Sequence, residues 1–266
     1  MSKQLGLFRL KGKIGGVSFY KSGGVDLARV ANGPTKHRID NDPAFVRTRE
    51  NNVEFGGSAK AAKGLRIALA FIIQTMADSR LTSRLTKLFK EINASSVTAL
   101  RGQRPITVSA HRPLLINFEM NKNVSFSSIF NAPFTFANTP ARDEGSITVP
   151  AFLPQNFIEA PAGATHFRLI TALGVISDYV YNLANQSYVP TDPALNTLGI
   201  TDASAVTDIN STTAVNFTLT ATLPGTPTMT GTVSVVQCLG IEFYQRIGTT
   251  DYLLAQDNCM KVVNVF

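Results

Sequence analysis

The sequence predicts an α+β protein. A Gly-rich N-terminal β-ribbon and a helical segment are followed by an antiparallel β-sandwich, of jelly-roll or immunoglobulin-like type. Three observations carry this. Short apolar runs separated by Gly fill roughly the first 40 residues. Leu and Ile at helical spacing dominate from about residue 43 to 93. From about residue 105, Pro, Thr, Ser, Asn and Phe become frequent and apolar residues alternate with period two. The expected division is a basic ribbon-plus-helix region over 1–104 and a sandwich over 105–266.

In the ribbon, Leu5–Leu10, Gly16–Tyr20 and Val25–Val30 read as three short strands. Gly12, Gly15 and Gly16 separate the first two. Ser22-Gly23-Gly24 is a hairpin signal between the last two, and Asn32-Gly33-Pro34 ends the third. A ribbon of this size is marginal alone and must pack on something.

Asp42-Pro43 opens the helical segment, with Asp as N-cap and Pro at the first helical position. A helix is expected from about Pro43 to Ala77, although Gly56, Gly57 and Gly64 each cost about 1 kcal/mol relative to Ala. Leu65, Leu69, Ile72, Ile73 and Met76 form one apolar face. Ile67 and Phe71 are apolar on the other side, so this stretch is expected to be buried nearly all round. A second helix is expected over Ser79–Asn93. Leu81, Leu85, Leu88 and Ile92 form its apolar stripe, and Arg80, Arg84 and Lys87 a basic one, with Lys90 nearby.

The sandwich strands are expected at Leu114–Met120, Ser146–Ala151, His166–Val175, Val215–Leu223, Thr232–Tyr244, Tyr252–Ala255 and Met260–Phe266. Gly225–Gly231 and Gly248–Asp251 form turns, and Asp192–Asn210 forms a polar loop.

Composition narrows the function classes. The 266 residues are 44% apolar and only 16% charged, against about 25% on average, which argues against disorder. Two Cys, Cys238 and Cys259, exclude a disulfide-dense scaffold and a multi-Cys zinc site, and a reduced buried pair is expected. The run Leu65–Met76 is too short to span a membrane, and residues 1–16 hold no continuous apolar stretch of the signal-peptide kind. The expectation is a soluble, cytoplasmic protein.

No catalytic, cofactor or metal motif is evident. Gly12–Gly16 and Gly56–Lys60 lack phosphate-loop spacing, and no G-x-S-x-G elbow occurs. His37, His111 and His166 are too dispersed for a metal site. Asp143-Glu144, Asp202 and Asp208 read as solvated turns, because the loop holding the last two lacks the Gly that a calcium loop needs. We therefore expect no enzyme activity and no cofactor.

Charge is the best-populated signal. Residues 1–112 carry 20 Lys+Arg against 7 Asp+Glu, and residues 113–266 carry 5 against 11, so the net +7 hides a basic and an acidic half. Arg47, Arg49, Lys60, Lys63, Arg66, Arg80, Arg84, Lys87 and Lys90 cluster in the helical segment, and all of them except Arg66 are the candidate partner-binding residues. Such a cluster can hold a phosphate backbone by counterion release. Alternatively, basic and acidic halves of neighbouring copies can meet head to tail and build rings or filaments.

The run GKIGGVSFYKSGG…RIDNDPAFVRTRENNVEFGGSAKAAKGLR, with APAGATHFRLITA and GIEFYQRIGTTDYLL, resembles a set of uncharacterised proteins encoded in Bacteroidota genomes. The resemblance covers most of the chain. It implies a bacterial source and a helical N-terminal region before a β-rich remainder, and it supplies no catalytic residue. Residues 41–66 are also similar to a pattern in phage-related structural proteins. The expected function is a non-enzymatic structural protein that self-assembles into a homo-oligomer, filament or tube. The alternative is a module for nucleic acid or another polyanion.

Overall fold

The computed structural model describes residues 2–6, 8–30 and 33–266, and its chain divides into two compact units, Met1–Arg49 and Glu50–Phe266. The position expected for a boundary, 104/105, lies inside the second unit. The helices before it and the strands after it share one apolar cluster.

In the first unit, β1 (Ser2–Lys3), β2 (Gly12–Ile14), β3 (Val17–Ser22) and β4 (Val25–Val30) form an antiparallel sheet in the order β1-β4-β3-β2. The hairpin at Ser22-Gly23-Gly24 is as expected, with Ser22 opposite Val25. The expected strand Leu5–Leu10 is replaced by a loop, with Leu7 outside the described residues. There the Gln4 side chain accepts from Leu10 N at 2.8 Å and donates to Leu10 O at 3.1 Å, so a local side-chain bridge takes the bonds that a strand would use. The stop signal at Gly33-Pro34 leads into α1 (Lys36–Asn41), and its Asn32 lies outside the described residues.

α2 (Val46–Ala68) follows a short 3-10 turn at Pro43–Phe45, which Asp42 caps by accepting from Ala44 N at 2.9 Å. The long helix expected to reach Ala77 breaks at Leu69, and α3 (Ala70–Met76) continues it. Glycine does not cause the break. Gly57 permits close packing instead: a Cβ there would lie 2.4 Å from the Tyr188 ring. The all-round burial expected here is not found. Leu65, Leu69, Ile72 and Met76 are buried, but Ile67 is exposed and Phe71 is 81% exposed. α4 (Leu81–Ser95) buries Leu81, Leu85, Phe89 and Ile92 at helical spacing. Each fully buried Leu or Phe contributes roughly 1.5–3 kcal/mol.

The expected strand Leu114–Met120 is instead a 3-10 turn, Arg112–Leu115, and a single bridge from Glu119 to Lys261. Asn117, at φ 64°, breaks the extended run. After the short helix α5 (Phe126–Ile129), β5 (Thr135–Asn138) and β6 (Glu144–Phe152) pair as a hairpin. A one-turn helix α6 (Pro154–Phe157) leads to β7 (His166–Ser177), β8 (Tyr179–Asn182) and β9 (Ser187–Pro190). Two short strands, β10 (Gly199–Ala203) and β11 (Thr207–Asp208), occupy the stretch expected to be loop. β12 (Val215–Thr222), β13 (Val233–Ile247), β14 (Thr250–Leu253) and β15 (Cys259–Val265) complete the chain.

All pairings are antiparallel. The principal sheet runs β10-β7-β13-β14, with β11 also on β7 and β15 also on β13. A second sheet runs β12-β6-β5, and β8 and β9 form a ribbon. Strand β7 shows how the layers stack. Ile170, Ala172 and Ile176 join the cluster of α2, α3 and α4, whereas Phe167 and Leu169 join Ile147, Val149 and Leu219 of the second sheet. Successive side chains point to opposite faces, so β7 and β13 are buried on both sides. The second unit is therefore helices on a sheet and that sheet on another, an α+β sandwich.

Candidate functional site

The cations that the sequence singles out separate into two groups. Three are tied into the fold. Arg49 donates to the carbonyls of Ile39 and Asp42 at 2.8 and 3.0 Å. Arg84 donates to the carbonyls of Glu119 and Met120 at 2.6 and 2.7 Å and pairs with Asp78 at 2.7 Å, its guanidinium over the Phe118 ring. Lys90 donates to Glu54 at 2.6 Å and to Asn93 at 2.8 Å. The others lie at the surface. Lys60 reaches the Tyr188 carbonyl at 3.1 Å, Lys87 stands 3.8 Å from Glu91, and Arg47, Lys63 and Arg80 are exposed. The second group is exposed at the surface.

Glu54 organises the buried charge. It accepts from Arg104 Nε and Nη2 at 2.7 and 2.6 Å, from Lys90, and from Gly102 N at 2.9 Å. Burial disfavours its charge, yet the bonds from Arg104, Lys90 and Gly102 outweigh burial and hold the carboxyl at about 2. Glu242 is the counterpart among the strands, bonded by Arg168, Thr75 and Tyr244. Burial and the Glu242 hydrogen bond push the Tyr244 phenol up. The first network ties the helical layer together, and the second ties α3 to the principal sheet.

Other chemistry is sparse. Ser95 Oγ lies 2.9 Å from His111 Nε2 and also donates to the Ile92 carbonyl at 2.7 Å, where it closes the end of α4. Cys238 and Cys259 are free and buried. Burial pushes both thiols up, Cys259 to about 12. Among the described residues no cluster of three His, Cys, Asp or Glu could hold a metal ion, and no helix is long and apolar enough to cross a membrane. A groove of about 750 Å³ runs along α4, lined by Phe55 and Ala59 of α2 and by Thr82, Thr86 and Lys87 of α4, with no His or Cys.

The first unit differs from the second in burial and in charge. None of its described residues is buried. Leu5 and Phe8 are 87% and 88% exposed, and Leu10, Ile14, Val25 and Val30 are exposed as well. It also holds the whole net charge. Residues 1–49 carry 10 Lys+Arg and 3 Asp, a surplus of +7, while residues 50–266 carry 15 of each sign. The neutral second unit is itself divided, with 10 cations against 4 anions over 50–112 and 5 against 11 over 113–266. The sequence alone shows this polarity as two halves. The unit boundary assigns the net charge to the first unit.

Comparison with protein-family models, with characterised protein sequences and with solved structures yields no match.

Proposed function

We propose that this chain is a non-enzymatic structural protein that self-assembles. In this reading its basic N-terminal unit serves as an arm that docks head to tail on the acidic, β-rich part of a neighbouring copy. One observation carries the reading: a 49-residue unit without a single buried described residue exposes a set of large apolar side chains. Such a sheet cannot be stable through its own core and needs a partner surface. The charge layout favours a second copy, because the arm is +7 and residues 113–266 are −6. The networks around Glu54 and Glu242 are consistent with a structural role.

A polyanion is the second reading, favoured by the exposed side chains of Lys63, Arg80 and Lys87. Mass photometry and negative-stain electron microscopy at low and high salt separate the two. Assemblies that loosen with salt are expected, since exposed charges are screened over about 8–10 Å at physiological ionic strength. Deleting residues 1–30 should leave single particles. Assembly that survives the deletion would overturn the arm, and retention of nucleic acid by a dispersed protein would favour the second reading.

A further inference from the structure

We propose that the seat for the arm is the open edge of β14, and that the arm adds to it through the β2 edge of a second copy. This rests on the assembly reading above and names its contact.

Both strands end their sheets. Among the described residues, β14 pairs only with β13, and β2 pairs only with β3. Each therefore presents one row of backbone donors and acceptors that no other strand takes. Open edges of this kind are templates for strand addition. β14 carries no Pro and no Lys, and Tyr252 and Leu253 are exposed on it, with Ile247 exposed beside them on β13.

The two edges match by face. Cross-strand partners share a face of the sheet, so the pairings Ile247–Thr250 and Gln245–Tyr252 place Ile247 and Tyr252 together. The pairings Arg246–Asp251 and Tyr244–Leu253 fall on the other face. Asp251 is bonded to Arg246 at 2.6 and 2.8 Å, and Asp208 adds a second carboxylate close to that arginine. On the arm, β2 puts Ile14 on one face and Lys13 on the other, with Lys11 just ahead of the strand. Joining the edges lays Ile14 beside Ile247 and Tyr252. It lays Lys13 beside Asp251. Apolar meets apolar and cation meets anion, in the register that period-two alternation imposes.

A complementation experiment on the full chain tests this. Lys11→Glu/Lys13→Glu spoils the arm and keeps the seat. Tyr252→Lys/Leu253→Lys spoils the seat and keeps the arm. These four side chains are exposed, and circular dichroism melts check that both variants fold as the wild type does. By mass photometry, the wild type should assemble. Each variant alone should be monomeric over at least a tenfold range of concentration above the wild-type midpoint. An equimolar mixture should give a terminated one-to-one pair. If the Tyr252→Lys/Leu253→Lys protein assembles like wild type, the seat is elsewhere and this inference fails, while the arm reading stands. If the wild type and the mixture are both monomeric, the assembly reading itself fails.

Discussion

Glu54 and Arg104 are joined by two parallel hydrogen bonds, 2.7 and 2.6 Å long, across 50 residues of chain. The pair ties α2 to the segment that follows α4, and Lys90 completes the neutralisation from α4 itself. Fork-shaped contacts of this kind are directional as well as strong. The helical layer is thereby clamped by charge as well as by its shared apolar cluster.

Glu54→Gln should be severely destabilising. It removes the carboxylate that Lys90 and Arg104 share and leaves both cations partly buried. Breaking one partner of a buried pair costs about 3–5 kcal/mol. Urea unfolding at neutral pH measures this directly.

The same carboxylate sets an acid limit. Its folded pKa is about 2 against an ordinary 4.5. A folded-state pKa that is depressed adds stability above the unfolded value, and that stability is lost as pH falls through the folded value. Between roughly pH 4.5 and 2 the protein should therefore lose on the order of 3 kcal/mol from this group. A series of urea midpoints across that range checks the sign. Glu54→Gln should flatten the dependence.

Gly57 and Gly56 should respond oppositely to alanine. A Cβ on Gly57 meets the Tyr188 ring at 2.4 Å, whereas one on Gly56 meets nothing within 4 Å. Gly57→Ala should cost about 1–3 kcal/mol through overpacking. Gly56→Ala should gain up to about 1 kcal/mol from helix propensity. Thermal melts of the two variants, side by side, make the comparison.

Arg84 should behave unlike the neighbouring cations. Arg84→Met removes bonds to two carbonyls and to Asp78, and should lower stability by about 2–3 kcal/mol. The combination Lys63→Glu, Arg80→Glu and Lys87→Glu should change stability by no more than about 0.5 kcal/mol per site. Heparin chromatography should respond in the opposite pattern, with retention reduced by the triple reversal and unchanged by Arg84→Met.

Cys238 and Cys259 should resist alkylation in the native protein, since burial raises both thiols. Iodoacetamide at pH 8 followed by intact mass should show no adduct until denaturant is added. Rapid native labelling would mean that β13 and β15 separate in solution.

Much of the β-rich region is legible in the sequence. The strands around Ile147, Leu169, Leu219, Leu239 and Val262 are long and apolar, and their turn signals are strong. The short strands are harder to read. Gly199–Ala203 looks like loop because Gly199, Asp202 and Ala203 are residue types depleted in strands, and the strand exists through pairing with β7. Asp202 reads as a solvated turn residue, yet it accepts from Thr220 N at 2.8 Å and links β10 to β12. Leu114–Met120 has strand-like composition, but Asn117 at positive φ bends it away.

The candidate surface was legible only in part. A cluster of Lys and Arg is visible from residue types, whereas its division into internal and exposed members is not. Arg84 and Lys87 are three residues apart on one helix. Arg84 turns inward onto carbonyls near residue 120, and Lys87 faces water.

By itself, then, the sequence determined the α+β class, the strong strands, the Gly-Gly hairpin and the overall charge polarity, because these follow from local periodicity and turn chemistry. Only the tertiary structure decided which cations are neutralised, which sheet edges stay open, and that residues before Glu50 lack a core of their own. Those properties depend on contacts between residues far apart in the chain, and no local pattern of residue types encodes them.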